Sequence, residues 1–349
     1  MTCLVPATAQ SPGSPMHGLS RTFFLLLLLW GLCSPEPCVV TPGEKGSSVV
    51  CYAPCEAPLT LPADTVSLSL EFSNLTHLPA HLLVTVPQLL ELHLSSNRLE
   101  ALAPELLMGT ERLQVLDLTG NRLSDLPPGL FSTARRLRTL VLKGNRLEAL
   151  NATWLRPLEA LEHLDLSGNR LGWLPSGLLT GLGALRVLDL SENRLEALPP
   201  ELLRGPRSLE WLHLQGNRLR EFGARQLEPQ PGLRFLFLQD NRLQAVAPAV
   251  FLALPGLRAL DLSNNSLRGV LLHLPDVRRL TPSPEGLDFD LSGNPWVCDA
   301  ALRGLYLWVC LHQDGMLSRN ETRCAQPEAR RGQPLLDMAS ENWGASRRR

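Results

Sequence analysis

The stretch from 185 to 199, LRVLDLSENRLEALP, decides the fold because nearly the same pattern recurs along the chain at one fixed interval. Its asparagine, Asn193, has seven equivalents, and neighbours in the series are all 24 residues apart: Asn97, Asn121, Asn145, Asn169, Asn217, Asn241 and Asn265. A period of about 20 to 29 residues with leucines at these spacings is typical of a solenoid whose repeats stack on one another.

The spacing inside one repeat predicts its local structure. Leu188 and Leu190 are two apart, so in an extended strand both point to the same face, and Asp189 points to the other. Asn193 follows where the strand ends, and its amide can both donate to and accept from backbone groups of the turn. The sequence therefore predicts an α/β horseshoe solenoid with a parallel β-sheet on its concave side.

The chain divides into four predicted regions. Arg21 and the apolar run FFLLLLLWGLC indicate a signal peptide over 1–35, cleaved at about 31–36, with a retained membrane anchor as the alternative. A cysteine-containing cap is expected over 36–62 and 24-residue repeats over 63–290, the first with Ser73 in the asparagine position. A second cap and a frayed tail are expected over 291–349. The stretch RRLTPSPEGL lengthens the ninth unit and predicts a looser surface loop.

Cysteines lie only near the two ends, which predicts disulfide-closed caps and an oxidising compartment. Cys38–Cys51 and Cys298–Cys324 are the expected bridges. Cys55 and Cys310 remain, and about 45 Å of stacked strands would keep them apart. Either they form mixed disulfides with a partner or a second copy, or they are buried or blocked thiols.

One column of side chains should line the middle of the concave face: His93, Asp117, Val141, Asp165, Asp189, His213, Phe237 and Asp261. Aspartates and histidines could suggest acid–base or metal chemistry. Such a face is open to water, and the chain carries no nucleophile motif or compact metal-ligand spacing. We therefore expect no enzyme activity, no cofactor and no metal.

Aromatic residues cluster late on the same face, at Trp211, His213, Phe235 and Phe237. Adjacent outward aromatics in a chain with few of them predict a protein-binding patch. The alternative is that neighbouring surface or a glycan covers them.

We call the eight asparagines spaced 24 residues apart the asparagine ladder, and an arginine directly follows seven of them. These arginines predict a cationic ridge about 30 Å long. They are Arg98, Arg122, Arg146, Arg170, Arg194, Arg218 and Arg242. Such a ridge could bind heparan-type polyanions. The alternative is a solvated edge neutralised by Glu100, Glu148, Glu196 and Glu192.

Four Asn-x-Ser/Thr sequons, at Asn74, Asn151, Asn264 and Asn320, predict N-glycosylation in a secreted chain. The net charge of −1 gives no reason to expect nucleic acid as a partner.

The order of signal peptide, cysteine cap, 24-residue repeats and NPWVCD cap resembles the extracellular leucine-rich repeat proteins. More narrowly, LPADTVSLSLEFSNLTHLPA, DLSNNSL and RCAQPEA resemble a secreted plasma glycoprotein of that family. This resemblance implies an acute-phase protein that promotes angiogenesis by modulating transforming growth factor beta signalling. Its implied partners are endoglin, transforming growth factor beta and its receptors, and cytochrome c. No motif carries these contacts onto particular residues, and Cys55, Cys310 and the complete arginine series depart from the family pattern.

Overall fold

The structure is a computed structural model that describes residues 38–52, 60–223, 230–252, 254, 256–270, 272 and 286–340. The predicted signal peptide, Cys55, most of RRLTPSPEGL and the tail from 341 onward lie outside the described residues.

Short strands dominate the described chain. In order they are β1 Cys38–Gly43, β2 Gly46–Cys51, β3 Thr65–Ser69, β4 Glu91–His93, β5 Val115–Asp117, β6 Thr139–Val141, β7 His163–Asp165, β8 Val187–Asp189, β9 Trp211–His213, β10 Glu221–Phe222, β11 Phe235–Phe237, β12 Ala245–Val246, β13 Ala259–Asp261, β14 Asp288–Asp290, β15 Trp296–Val297 and β16 Cys324–Gln326. The helices are α1 Ala249–Leu252 and α2 Arg303–Leu311, with 3-10 turns at Leu202–Arg204, Ala300–Leu302, Gln313–Gly315, Glu328–Arg330 and Leu335–Ser340.

One twelve-stranded sheet joins β1 to β9 with β11, β13 and β14. Strands β1 and β2 form an antiparallel hairpin, and every later pairing in the sheet is parallel. The register advances by one repeat, so Leu188 lies beside Leu212. The predicted α/β leucine-rich repeat solenoid is confirmed.

Each three-residue strand of the twelve-stranded sheet buries its middle residue and leaves both flanking residues at least partly exposed. Leu188 and Leu190 are buried in the core, while Val187 and Asp189 lie on the concave face, as predicted. Because the strands are so short, each repeat depends on its neighbours to cover its leucines.

The asparagines join successive repeats through their side-chain amides. Oδ1 of Asn193 accepts a hydrogen bond from the backbone N–H of Leu171 at 3.1 Å. Its Nδ2 donates to the carbonyls of Leu166 at 2.9 Å and Leu190 at 3.1 Å. Ser73 takes this place in the first repeat, where its Oγ donates to the Cys51 carbonyl at 3.1 Å.

Both ends of the stack carry the expected disulfides, Cys38–Cys51 and Cys298–Cys324. In the second cap Trp296 and Trp308 are buried, and the Trp308 ring meets Phe289 of β14 edge-on at 4.9 Å. Cys310 on α2 is a half-buried thiol outside any disulfide. It forms a hydrogen bond with Tyr306, whose pKa burial raises.

Candidate functional site

Four rings form one layer on the concave face at β9 and β11, and we call Trp211, His213, Phe235 and Phe237 the aromatic patch. The register places Trp211 beside Phe235 and His213 beside Phe237. The Trp211 and Phe235 rings stack with centroids 3.5 Å apart, and those of His213 and Phe237 stack at 4.8 Å. The structure thus brings together all four residues that the sequence singled out.

The patch follows from strand geometry. Residues on either side of buried Leu212 and Leu236 point to the same face, and neighbouring strands lie about 4.7–4.9 Å apart. Flat side chains at matching positions can therefore stack across the strands. All four side chains are only partly buried, so part of each ring remains available for contact.

Carboxylates border the patch on both sides. Asp189 on β8 lies beside His213, and Asp261 on β13 lies beside Phe237. Burial lowers the pKa of His213, and Asp189 and Asp165 oppose that shift. Burial also raises the pKa of Asp261, although hydrogen bonds from Ser263 counter it.

The rest of the concave face is also acidic. Among the described strands of the twelve-stranded sheet from β3 to β14, and the position two residues after the end of each, further carboxylates occur at several points: Glu71, Glu91, Asp117, Asp165, Asp288 and Asp290. Lys143 is the single lysine or arginine among those same positions. The face therefore favours basic partners over acidic ones.

A second cluster, Glu71, His93 and Asp117, lies near the amino-terminal end of this face. One potential ligand atom from each side chain lies within 4.8 Å of the other two. The column of central residues contains His93 and Asp117 but leaves out Glu71, which follows β3 in the degenerate first repeat. In the sequence, Glu71 precedes His93 by 22 residues and Asp117 follows His93 by 24, and this spacing close to one repeat could have indicated the cluster.

The arginine ridge is only partly neutralised. Arg122 pairs with Glu100 at 3.7 Å, and Arg170 pairs with Glu148 at 3.8 Å. The expectation was wrong for the other two glutamates. Glu196 also reaches the next repeat, as Glu100 and Glu148 do, but it pairs there with Arg220, which is off the ridge, at 3.6 Å. Among described residues Glu192 forms no ion pair with Arg194, and the remaining ridge guanidinium groups are likewise outside ion pairs: Arg98, Arg146, Arg194, Arg218 and Arg242.

All four predicted glycosylation sites, Asn74, Asn151, Asn264 and Asn320, are exposed. Asn264 differs from the others because its Nδ2 donates to Oδ1 of Asp240 at 3.1 Å. A glycan on that nitrogen would have to displace this hydrogen bond.

These features define a class: a solenoid of short parallel strands, joined by buried asparagines and closed at both ends by disulfides. The Leucine rich repeat family model matches residues 65–123, 111–171, 172–219 and 231–281, which is more than half of the chain. The chain therefore belongs to the leucine-rich repeat family. That family is defined by a structural repeat and indicates no catalytic chemistry. In the described part of the chain, no helix has the length and apolar character needed to cross a membrane.

Relatives match parts of the chain. Leucine-rich repeat-containing protein 3 of Rattus norvegicus is 33% identical over 108 residues, 30% of this chain and 42% of the relative. A phospholipase A2 inhibitor of Gloydius brevicaudus siniticus is 39% identical over 69 residues, 18% of this chain and 21% of the inhibitor. The match thus spans less than half the length of either relative.

Two solved structures share the fold. A leucine-rich repeat protein of Leptospira interrogans superposes with a TM-score of 0.59 at 28% identity, over 73% of this chain and 65% of that one. The leucine-rich repeat segment of FLRT2, from an octameric complex with Latrophilin 3 and Unc5D, has a TM-score of 0.60 at 22% identity. That match covers 88% of this chain and 99% of the other.

Proposed function

We propose that this chain is a secreted glycoprotein that acts as a protein-binding scaffold, with the aromatic patch at the centre of its contact surface. The single observation that carries the proposal is the stacked layer of Trp211, His213, Phe235 and Phe237 on an open sheet. Aromatic residues supply a large share of the binding energy at protein interfaces. The predicted signal peptide over 1–35, the two disulfide-closed caps and the exposed sequons are consistent with this role.

The acidic border gives the partner surface a charge preference. Asp189 and Asp261 flank the patch, and a cation placed over an aromatic face between carboxylates gains from both kinds of group. A partner that presents an arginine beside apolar side chains would complement the patch. The FLRT2 repeat segment was solved in a complex with other proteins, and the second relative is named as an inhibitor of phospholipase A2. Both associations agree with a scaffold role.

The narrower resemblance is to leucine-rich alpha-2-glycoprotein, and it supports particular partners. By that resemblance we propose that the chain circulates in plasma as an acute-phase protein. It would bind endoglin, transforming growth factor beta and its receptors, and thereby promote angiogenesis. Cytochrome c is a further proposed partner from the same resemblance.

The test is surface plasmon resonance with the secreted, glycosylated chain against each of these partners. Trp211→Ala and Phe237→Ala should each weaken binding by about 2 kcal/mol, roughly 30-fold. Trp173→Ala is the matched control, since Trp173 is an exposed tryptophan outside the strands of the sheet, and it should bind as the unsubstituted chain does. If both patch variants kept their affinity within about threefold, the patch would not be the contact centre.

A second candidate function is binding to heparan-type polyanions. The observation that favours it is the series of ridge arginines whose guanidinium groups are outside ion pairs between described residues. Elution from a heparin column above physiological salt, lowered by Arg194→Ala with Arg218→Ala, would support it. Substitution of Arg122 and Arg170, which are ion-paired, is the matched comparison and should lower the elution salt less. Elution below physiological salt would exclude this function.

A further inference from the structure

Three neighbouring strands place different metal-binding side chains at one point of the concave face. Glu71 follows β3, His93 ends β4 and Asp117 ends β5. Their potential ligand atoms all lie within 4.8 Å of one another. In the described part of the chain, no other group of three His, Cys, Asp or Glu side chains comes together in this way.

The two carboxylates are held in place by neighbouring hydroxyl and backbone groups. Oδ1 of Asp117 accepts hydrogen bonds from the backbone N–H of Thr119 at 2.8 Å and from its Oγ1 at 2.6 Å. Ser95 and Ser69 donate to the two oxygens of Glu71, the latter at 3.2 Å. Such supporting hydrogen bonds orient ligands at metal sites. Because they occupy Oδ1 of Asp117, Oδ2 is the oxygen left to bind a cation.

The charge balance of the cluster also favours a cation. Glu91 adds a third carboxylate, whose Oε2 lies 3.7 Å from Nε2 of His93. Among described residues, neither Glu71 nor Asp117 is paired with a lysine or arginine. Carboxylates gathered around an imidazole without a balancing guanidinium or ammonium group gain from a bound divalent ion.

We propose that Glu71, His93 and Asp117 bind one zinc ion. Two carboxylates and one imidazole suit zinc, whereas calcium and magnesium prefer oxygen ligands alone. Zinc lies about 2.0–2.2 Å from its ligands, so tetrahedral ligand atoms are roughly 3.4 Å apart. Closing the cluster therefore requires movements of at most about 1.4 Å, within the reach of side-chain rotation. All three side chains are half-buried, which leaves part of the cluster accessible to water or to a partner's side chain as a fourth ligand.

The zinc site and the aromatic patch are separate. Five strand steps separate β4 from β9, which amounts to about 24 Å. Zinc binding can therefore be tested independently of partner binding.

The experiment is isothermal titration of zinc chloride into the secreted, untagged chain after removal of metal with a chelator. Every protein carries Cys55→Ser and Cys310→Ser, so that neither cysteine outside the two disulfides contributes a zinc ligand. We expect one zinc per chain with a dissociation constant below about 100 µM. His93→Gln should weaken binding at least about tenfold. His163→Gln is the matched control, since His163 is half-buried on the same face, and should leave affinity unchanged.

Thermal unfolding provides a second measurement that also shows whether each variant folds. Zinc should raise the melting temperature of the parent chain and of His163→Gln, because a ligand that binds the folded state stabilises it. At the same zinc concentration it should raise that of folded His93→Gln much less, and Glu71→Gln or Asp117→Asn should also reduce the rise. Absence of zinc binding to the parent chain, or equal binding by His93→Gln, would overturn the proposal.

Discussion

The Trp211 indole lies almost flat on the Phe235 ring, with centroids 3.5 Å apart and planes inclined by 12°. The two strands that carry them are about 4.7–4.9 Å apart, so the rings lean towards each other. Each ring therefore covers part of the other from water, and the pair should behave as one unit.

This coupling can be measured by a double-mutant cycle on the free energy of unfolding. Trp211→Ala combined with Phe235→Ala should destabilise the chain less than the sum of the single substitutions. The expected interaction energy is about 0.5–1.5 kcal/mol. The pairing of Trp211→Ala with Trp173→Ala serves as the control and should be additive within about 0.5 kcal/mol. Additivity in both cycles would show that the stacking contributes no coupling.

The asparagine ladder predicts a large effect from a single buried amide. Asn193→Ala removes hydrogen bonds to Leu166, Leu171 and Leu190. The buried Leu171 N–H is left without its partner, whereas the Leu166 and Leu190 carbonyls each keep one hydrogen bond from the asparagine of another position in the series. We expect a loss of about 2–4 kcal/mol, measured by urea unfolding. The neighbouring Arg194 is exposed, and Arg194→Ala should change stability by less than about 0.5 kcal/mol. Similar small effects of both substitutions would contradict a structural role for the ladder.

The environment of His213 predicts a dependence of stability on pH. Burial holds its pKa below the ordinary value, so near that value the folded chain binds fewer protons than the unfolded chain. The free energy of unfolding should therefore receive its full contribution from neutral His213 above about pH 6.5. That contribution should be lost as the pH falls towards the lowered pKa of His213.

Nuclear magnetic resonance titration of the histidine ring protons measures this directly, with His213→Gln used for assignment. Unfolding at pH 7.5 and pH 5.0 should show a smaller loss for His213→Gln than for the parent chain. Asp189, Asp165 and His163 also act on His213, so His163→Gln is a useful second comparison. A titration midpoint for His213 at or above about 6.5 would contradict the prediction.

The carboxy-terminal disulfide should contribute more to the free energy of unfolding than the Cys310 thiol does. Cys298 and Cys324 are 26 residues apart, and the chain-entropy relation gives about 3–4 kcal/mol for a loop of that length. Replacing both by serine should lower stability by about that amount in denaturant unfolding. Cys310→Ser is the control and should have a much smaller effect, because this half-buried side chain closes no loop. An effect of the double substitution as small as that of Cys310→Ser would show that the bridge adds little stability.

The repeat period and the core could be predicted from the sequence alone because they depend on local spacing. Leucines two apart must share one face of a strand, and an asparagine every 24 residues must meet its equivalent in the next repeat. The same alternation put Trp211 and Phe237 on the concave face. Cysteines confined to the chain ends likewise led to the bridges Cys38–Cys51 and Cys298–Cys324, which the structure contains.

Contacts between side chains of different repeats depended on the tertiary structure. A repeat position does not specify which way a long side chain turns, so only the structure showed that Glu196 reaches Arg220. Glu71 approaches His93 and Asp117 for the same reason: it lies two positions beyond their column and still reaches them across the sheet. Sequence periodicity determined the scaffold because backbone geometry repeats. The distances among its exposed side chains were decided only when the strands were stacked.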